Sequence, residues 1–115
     1  MKHVVKKVDA KVADEHGVSR FIEYGTPFAS FSMGVSEIHG RYPAEGFDAD
    51  TGVDAAWYVA AGSGMIAIGG GEYALAEGDM IFVPKGEPFC IEGDHLKLVV
   101  ASSPPWAPEQ HTHIA

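Results

Sequence analysis

Several side chains in this chain are of types that move protons or hold ions. Glu37, His39 and Arg41 alternate along the segment GVSEIHGRY. Histidine changes charge near neutral pH, so His39 could act as acid, base or ligand. Arg41 could grip a carboxylate or phosphate through two parallel hydrogen bonds. Asp48 and Asp50 follow on the next segment, with Asp54 beyond them. Two aspartates in such a pattern could hold Mg²⁺ or Ca²⁺, but these ions want more oxygen donors than the segment supplies, so solvated loop acids are the alternative. Cys90 would need a neighbouring cation or base to be a nucleophile, and a structural thiol is the competing reading. His111-x-His113 could take up a transition metal or simply lie on an exposed tail. Gly69-Gly70-Gly71 sits between two apolar runs and opens no helix, so it is not a phosphate loop.

The elements that must position these groups are short strands. Residues 2–8 (KHVVKKV) alternate and predict an N-terminal strand; Asp9 to Gly17 reads as a loop or a helical turn. Strands are expected over Val18–Tyr24, Phe28–Arg41, Ala55–Ala61, Met65–Ile68, Glu72–Leu75, Met80–Val83, Pro88–Ile91 and Leu96–Ala101. Gly62-Ser63-Gly64, Gly69-Gly70-Gly71 and Gly93-Asp94 read as turns between them, and Ala44–Val53 as an acidic loop. Along Phe28–Arg41 a period of two puts Phe31, Met33, Val35, Glu37, His39 and Arg41 on one face, apolar first and polar at the end. That is the pattern of a barrel strand reaching the mouth of a pocket. On this reading His39 faces the pocket, as a catalytic base or as a partly buried histidine bonded to a neighbour. Arg41 faces it too, as an anion ligand or in an ion pair.

The 14 glycines and seven prolines punctuate many short elements and argue for an all-β sandwich or barrel. A chain of 115 residues has room for one domain: a barrel over 18–101, the strand 2–8, and a tail 102–115 along the outside of the sheet. The net charge of −8 repels nucleic acid and anionic membranes. No apolar run is long enough to span a bilayer, the N-terminus does not read as a signal peptide, and the single cysteine suits a reducing cytoplasm.

The segment Gly78 to Gly86 (GDMIFVPKG) resembles the second motif of the cupins, small double-sheet jelly-roll barrels. Gly78, Asp79, Pro84 and Gly86 stand at matching positions, where the pattern needs tight turns around a short strand. Gly62 matches the closing glycine of the first motif. GRYP (Gly40–Pro43) and PPWAPEQH (Pro104–His111) are similar to a subgroup of small cupins. The resemblance implies a double-stranded β-helix over nearly the whole chain. It also places Asp48, Asp50, Ala55 and Phe89 at the four usual metal-ligand positions. Phenylalanine and alanine ligate nothing, so no metal and no cofactor is expected, with Asp48 and Asp50 as the weaker alternative.

The motif alignment also turns Trp57, Phe89 and Ile91 into the barrel, either to stack on a ligand or to fill the core. The expected ligand-binding group is Glu37, His39, Arg41, Asp50, Asp54, Trp57 and Phe89, with His39 as the candidate catalyst. The partner is a small polar or carbohydrate-like molecule. The alternatives are an isomerase, epimerase or lyase using His39 or an aspartate as base, and a metal enzyme with non-standard ligands. The resemblance further implies a homodimer, with the N-terminal HVVKKV segment as the contact.

Overall fold

The computed structural model describes residues 3–115. Among the described residues there are nine strands: β1 (Lys11–His16), β2 (Ser19–Glu23), β3 (Ser32–Tyr42), β4 (Phe47–Asp50), β5 (Asp54–Ile68), β6 (Gly71–Leu75), β7 (Met80–Val83), β8 (Phe89–Ser103) and β9 (His111–Ile114). All pair antiparallel in one curled sheet, the all-β cupin jelly roll that the sequence predicts. Its axis is β8, bonded along its length to β3 on one side and to β5 on the other. The buried core runs down its inner face: Phe89, Ile91, Leu96, Leu98 and Val100, with Trp57, Val59 and Ile66 of β5 and Ile38 of β3.

Several expected boundaries move. The predicted strand 2–8 is not there: Lys7–Asp9 is a short 3-10 turn, and residue 2 lies outside the described residues. The strand comes later, at β1, where a loop or helical turn was expected. The acidic loop contains β4, and the tail carries a further strand, β9, which pairs with β4 from Phe47↔Ile114 to Asp50↔His111.

Gly62-Ser63-Gly64 and Gly93-Asp94 are not turns. β5 and β8 are each single strands of 15 residues that bulge at these positions. Gly62 has φ +79°, and a Cβ there would strike the backbone of His95. Each bulge reverses the alternation. In β8 the buried residues are odd-numbered at Phe89 and Ile91, then even-numbered from Leu96 to Ser102. In β5 they pass from Trp57 and Val59 to Ile66.

The face of β3 is also the reverse of the expected one. Ser32, Ser36 and Ile38 point inward; Met33, Glu37 and His39 point out. Gly34 and Ser36 are small where the Phe21 ring comes close to the strand. A Cβ on Gly34 would overlap the Phe21 ring.

Candidate functional site

Inside the sheet lies a cavity of about 70 Å³. Its wall is mostly apolar: Phe21, Ile38, Trp57, Phe89, Ile91, Leu98, Val100 and Trp106. Trp57 and Phe89 meet edge-to-face with ring centroids 4.9 Å apart, and Phe21 and Trp106 repeat the arrangement at 4.9 Å. Its polar lining is Asp14, Ser19, Ser36, Ser102 and a hydrogen-bonded group of Tyr42, His111 and Asp50. Asp14, Tyr42 and His111 also line a wider outer depression with Arg41, Asp48 and His113. Tyr42 and His111 therefore stand at the boundary between a narrow aromatic chamber and a polar vestibule.

His111 is brought there by the tail. Trp106 anchors it: the backbone N–H donates to Ser32 Oγ at 2.9 Å and the indole Nε1–H to Asp50 Oδ1 at 2.9 Å. The backbone and hydroxyl of Thr51 both donate to the Gln110 carbonyl. Gly46 (φ +72°) lets β4 run close to β9; a Cβ there would meet the Ile114 carbonyl. Register then puts His111 opposite Asp50 and His113 opposite Asp48.

The imidazole of His111 is held on both sides. Nδ1 lies 2.8 Å from Asp50 Oδ1, and Nε2 lies 2.6 Å from Asp48 Oδ2 and 2.7 Å from the Tyr42 hydroxyl. An ionised carboxylate only accepts hydrogen bonds, so both ring nitrogens carry hydrogen and the ring is an imidazolium. Burial works against that charge. The hydrogen bonds and charges of Asp50 and Asp48 outweigh it and raise the pKa to about 9. Burial also pushes Asp48 up, but hydrogen bonds from His113, Tyr42 and His111 prevail and hold its carboxyl below the ordinary value. Tyr42 is driven well above the usual phenol range, first by burial and then by its hydrogen bond to Asp48 and the surrounding carboxylates.

The expected site residues separate into two groups. Asp50, Trp57 and Phe89 line the cavity. Glu37 and His39 lie outside it on the outer face, where the His39 and His95 rings meet at a tilt of 46° with centroids 4.3 Å apart, so neither faces the pocket that the alternation predicts. Arg41 borders only the outer depression and donates to the carbonyls of Pro43 and Gly46, which shapes the loop before β4. Asp54 is exposed and its Oδ1 accepts from the Lys85 backbone N–H at 2.8 Å, fastening the turn after β7.

Three groups at the site were missed or misread. Asp48 and Asp50 are not solvated loop acids: Asp48 is 4% exposed, and both are ion-paired to the tail. His111 is not on a free tail. Tyr42 enters the sequence pattern only within the GRYP segment, which gives it no role of its own. Asp48-x-Asp50 and His111-x-His113 are each visible as an alternation in the sequence, but nothing local pairs one with the other.

The donor set does not fit the usual cupin metal centre. Phe89 and Ala55 stand where ligands would, and Asp48 and Asp50 grip His111 from opposite sides rather than converging with it on one point. Both oxygens of Asp48 are already bonded to histidine nitrogens.

A curled antiparallel sheet around an aromatic cavity, opening on a cluster of acids and histidine, defines a ligand-binding barrel of the cupin type. Residues 34–95, more than half of the chain, match the AraC-like ligand binding domain family, and the chain belongs to it. Comparison with curated proteins finds no match. Among solved structures the chain is similar to Pac13, a nucleoside dehydratase from Streptomyces, with TM-score 0.85 at 16% identity, over 99% of this chain and 92% of that one. It is similar to the polyketide cyclase RemF of Streptomyces resistomycificus, with TM-score 0.75 at 16% identity, over 100% and 87% of the two chains. An RmlC-like cupin from Shewanella frigidimarina gives TM-score 0.72 at 20% identity, over 90% and 92%.

Proposed function

We propose that this chain binds a small polar ligand bearing a flat ring, without a metal, and holds it against Asp50, His111 and Tyr42. The observation that carries this reading is the His111 imidazolium, clamped between two carboxylates where the aromatic chamber meets the polar vestibule. Trp57, Phe89 and Trp106 offer ring surface, and Asp50 and Tyr42 offer an acceptor and a hydroxyl for the polar end. Nucleosides are the first ligands to try, because variants of Streptomyces Pac13 were solved with uridine. A thermal-shift and calorimetric screen of nucleosides, sugars and small hydroxylated aromatics tests the reading. Binding should appear for a ring-bearing compound and vanish in Trp57→Ala. A hit that Trp57→Ala leaves unchanged would place the ligand elsewhere, and a blank screen would count against a ligand of this class.

A second reading, a lyase or isomerase, is favoured by one feature. Asp50 Oδ1 receives both His111 and Trp106, leaving Oδ2 unengaged among the described residues. That oxygen could take a proton from a substrate carbon while the imidazolium, directly or through Tyr42, protonates a departing hydroxyl. The products are an unsaturated ligand and water. Proton NMR of each bound compound would show the change. Asp50→Asn should lose turnover; retained turnover removes Asp50 as the base.

The same proposal takes the chain as one cytoplasmic domain acting as a homodimer. Among the described residues no helix is long and apolar enough to cross a membrane. The dimer contact favoured here is not the N-terminal segment but the outer face of the sheet. There Val35, Val99, Tyr58 and Met80 stand opposite one another across β3, β8, β5 and β7, with Met33, Ala101, Ala56 and Phe82 in the next row. Phe82 is 74% exposed and belongs to a contiguous apolar face with Met80, Tyr58 and Met33.

A further inference from the structure

On the outer face, away from the cavity, one bulge gathers a different set of ligands. Between Ile38↔Leu96 and Gly40↔Gly93 the register of β3 and β8 shifts, so that His39 alone on β3 faces both Asp94 and His95 on β8. A bulge of this kind re-aims side chains that alternation would otherwise send to opposite faces. Here it throws His95 to the same side as Asp94. His95 has φ +51° and is the only non-glycine residue with positive φ among the described residues. That conformation is disfavoured for a residue with a Cβ and persists only where the surroundings enforce it. The enforcement is visible: Gly62 of β5 packs against the His95 backbone, and the His95 N–H donates to His39 Nδ1 at 3.3 Å.

The result is two imidazoles with ring centroids 4.3 Å apart and a carboxylate 2.9 Å from the second ring. One ligand atom from each of the three residues lies within 4.8 Å of the others. In a tetrahedral zinc centre with bonds of about 2.0–2.1 Å, neighbouring ligand atoms stand about 3.3 Å apart. All three side chains are exposed, so small rotations can close the remaining gap. Two imidazoles and one carboxylate suit zinc and similar divalent transition metals, not Mg²⁺ or Ca²⁺.

We propose that His39, Asp94 and His95 form a surface site for a divalent transition metal ion, zinc in the first instance, with solvent at the fourth position. The site is separate from the cavity: none of the three residues lines it. The bulge sets His95 on the same side as His39 and Asp94 before the metal arrives, which lowers the ordering cost of binding.

Titration of the untagged full chain with Zn²⁺, read by calorimetry, tests the assignment. One equivalent should bind, and His39→Ala and His95→Ala should each weaken it by at least about tenfold, since loss of even a supporting residue around a metal costs about that much. Asp94→Asn should weaken it while leaving the fold unchanged by circular dichroism. Paramagnetic Co²⁺ should broaden the imidazole NMR signals of His39 and His95 at substoichiometric metal and spare those of His111. Three results would overturn the proposal: no zinc uptake by the wild type, uptake unchanged in both histidine variants, or first broadening at His111 or His113.

Discussion

The charge on His111 gives the fold a pH signature that can be calculated. In the unfolded chain its imidazole has the ordinary value of 6.5, and in the fold it is raised to about 9. A group whose value is raised by folding adds stability that is complete below the unfolded value and is lost as pH rises through the folded one. The span from 6.5 to about 9 corresponds to roughly 3 kcal/mol. The neighbouring groups leave this window clear: Asp48 is held below its ordinary 3.8, and Tyr42 begins from 10.0 and moves up. The assay is urea unfolding followed by tryptophan fluorescence, on the wild type and on His111→Gln, at about pH 6 and about pH 9.5. The wild type should lose roughly 3 kcal/mol more than the variant between those conditions. His111→Gln should cost most at the acid end and little at the alkaline end. Parallel profiles for the two proteins would refute the clamped imidazolium and leave His111 a neutral spacer.

Tyr42→Phe removes a hydroxyl shared by His111 and Asp48, and should cost about 1–2 kcal/mol in the same urea assay at neutral pH. Phe89→Ala empties the space beside Trp57 and should cost about 3–5 kcal/mol, read as a drop in the denaturation midpoint; a loss under about 1 kcal/mol would mean the cavity collapses on the remaining ring. Asp50→Asn removes one of the two carboxylates at His111 and should shift the alkaline loss of stability to lower pH, whereas an unmoved midpoint would assign the raised imidazole to Asp48 alone. Sedimentation of the wild type should show the proposed dimer and that of Phe82→Glu a folded monomer; a dimer that survives the substitution would move the contact off the β3–β8–β5–β7 face.

The turns that flank β6 and β7 were legible in the sequence, whereas the glycines at Gly62-Ser63-Gly64 and at Gly93 mark bulges and not turns. Gly78, Pro84 and Gly86 do bracket β7 as the motif implied, because turn residues report local backbone needs that the sequence carries directly. Alternation, by contrast, reports a face only while the register is unbroken. The bulges at Gly62 and at Asp94–His95 reverse it in the two longest strands. In β3 size misled as well: the larger residues lie outside, and Ser36 and Gly34 lie inside, where the Phe21 ring comes close to the strand. The acids at 48 and 50 were visible but not their partner. Proximity between positions 48–50 and 111–113 is a fact of pairing between distant segments, and no local pattern encodes it.

The β4–β9 ribbon that carries this pairing is thinly attached. Among the described residues β9 pairs through its backbone with β4 alone, and β4 meets β8 through the single register pair Asp48↔Phe89. Local opening of the ribbon therefore requires far fewer broken contacts than opening of β8, and it takes His111 away from the cavity while the barrel stands. A ligand that needs His111 in place binds only the closed form, so its apparent affinity is scaled by the closed fraction. Amide exchange makes this measurable: saturating ligand should slow exchange over Asp48–Asp50 and His111–Ile114 well before it affects β8. Equal slowing in both would show the ribbon and barrel opening together.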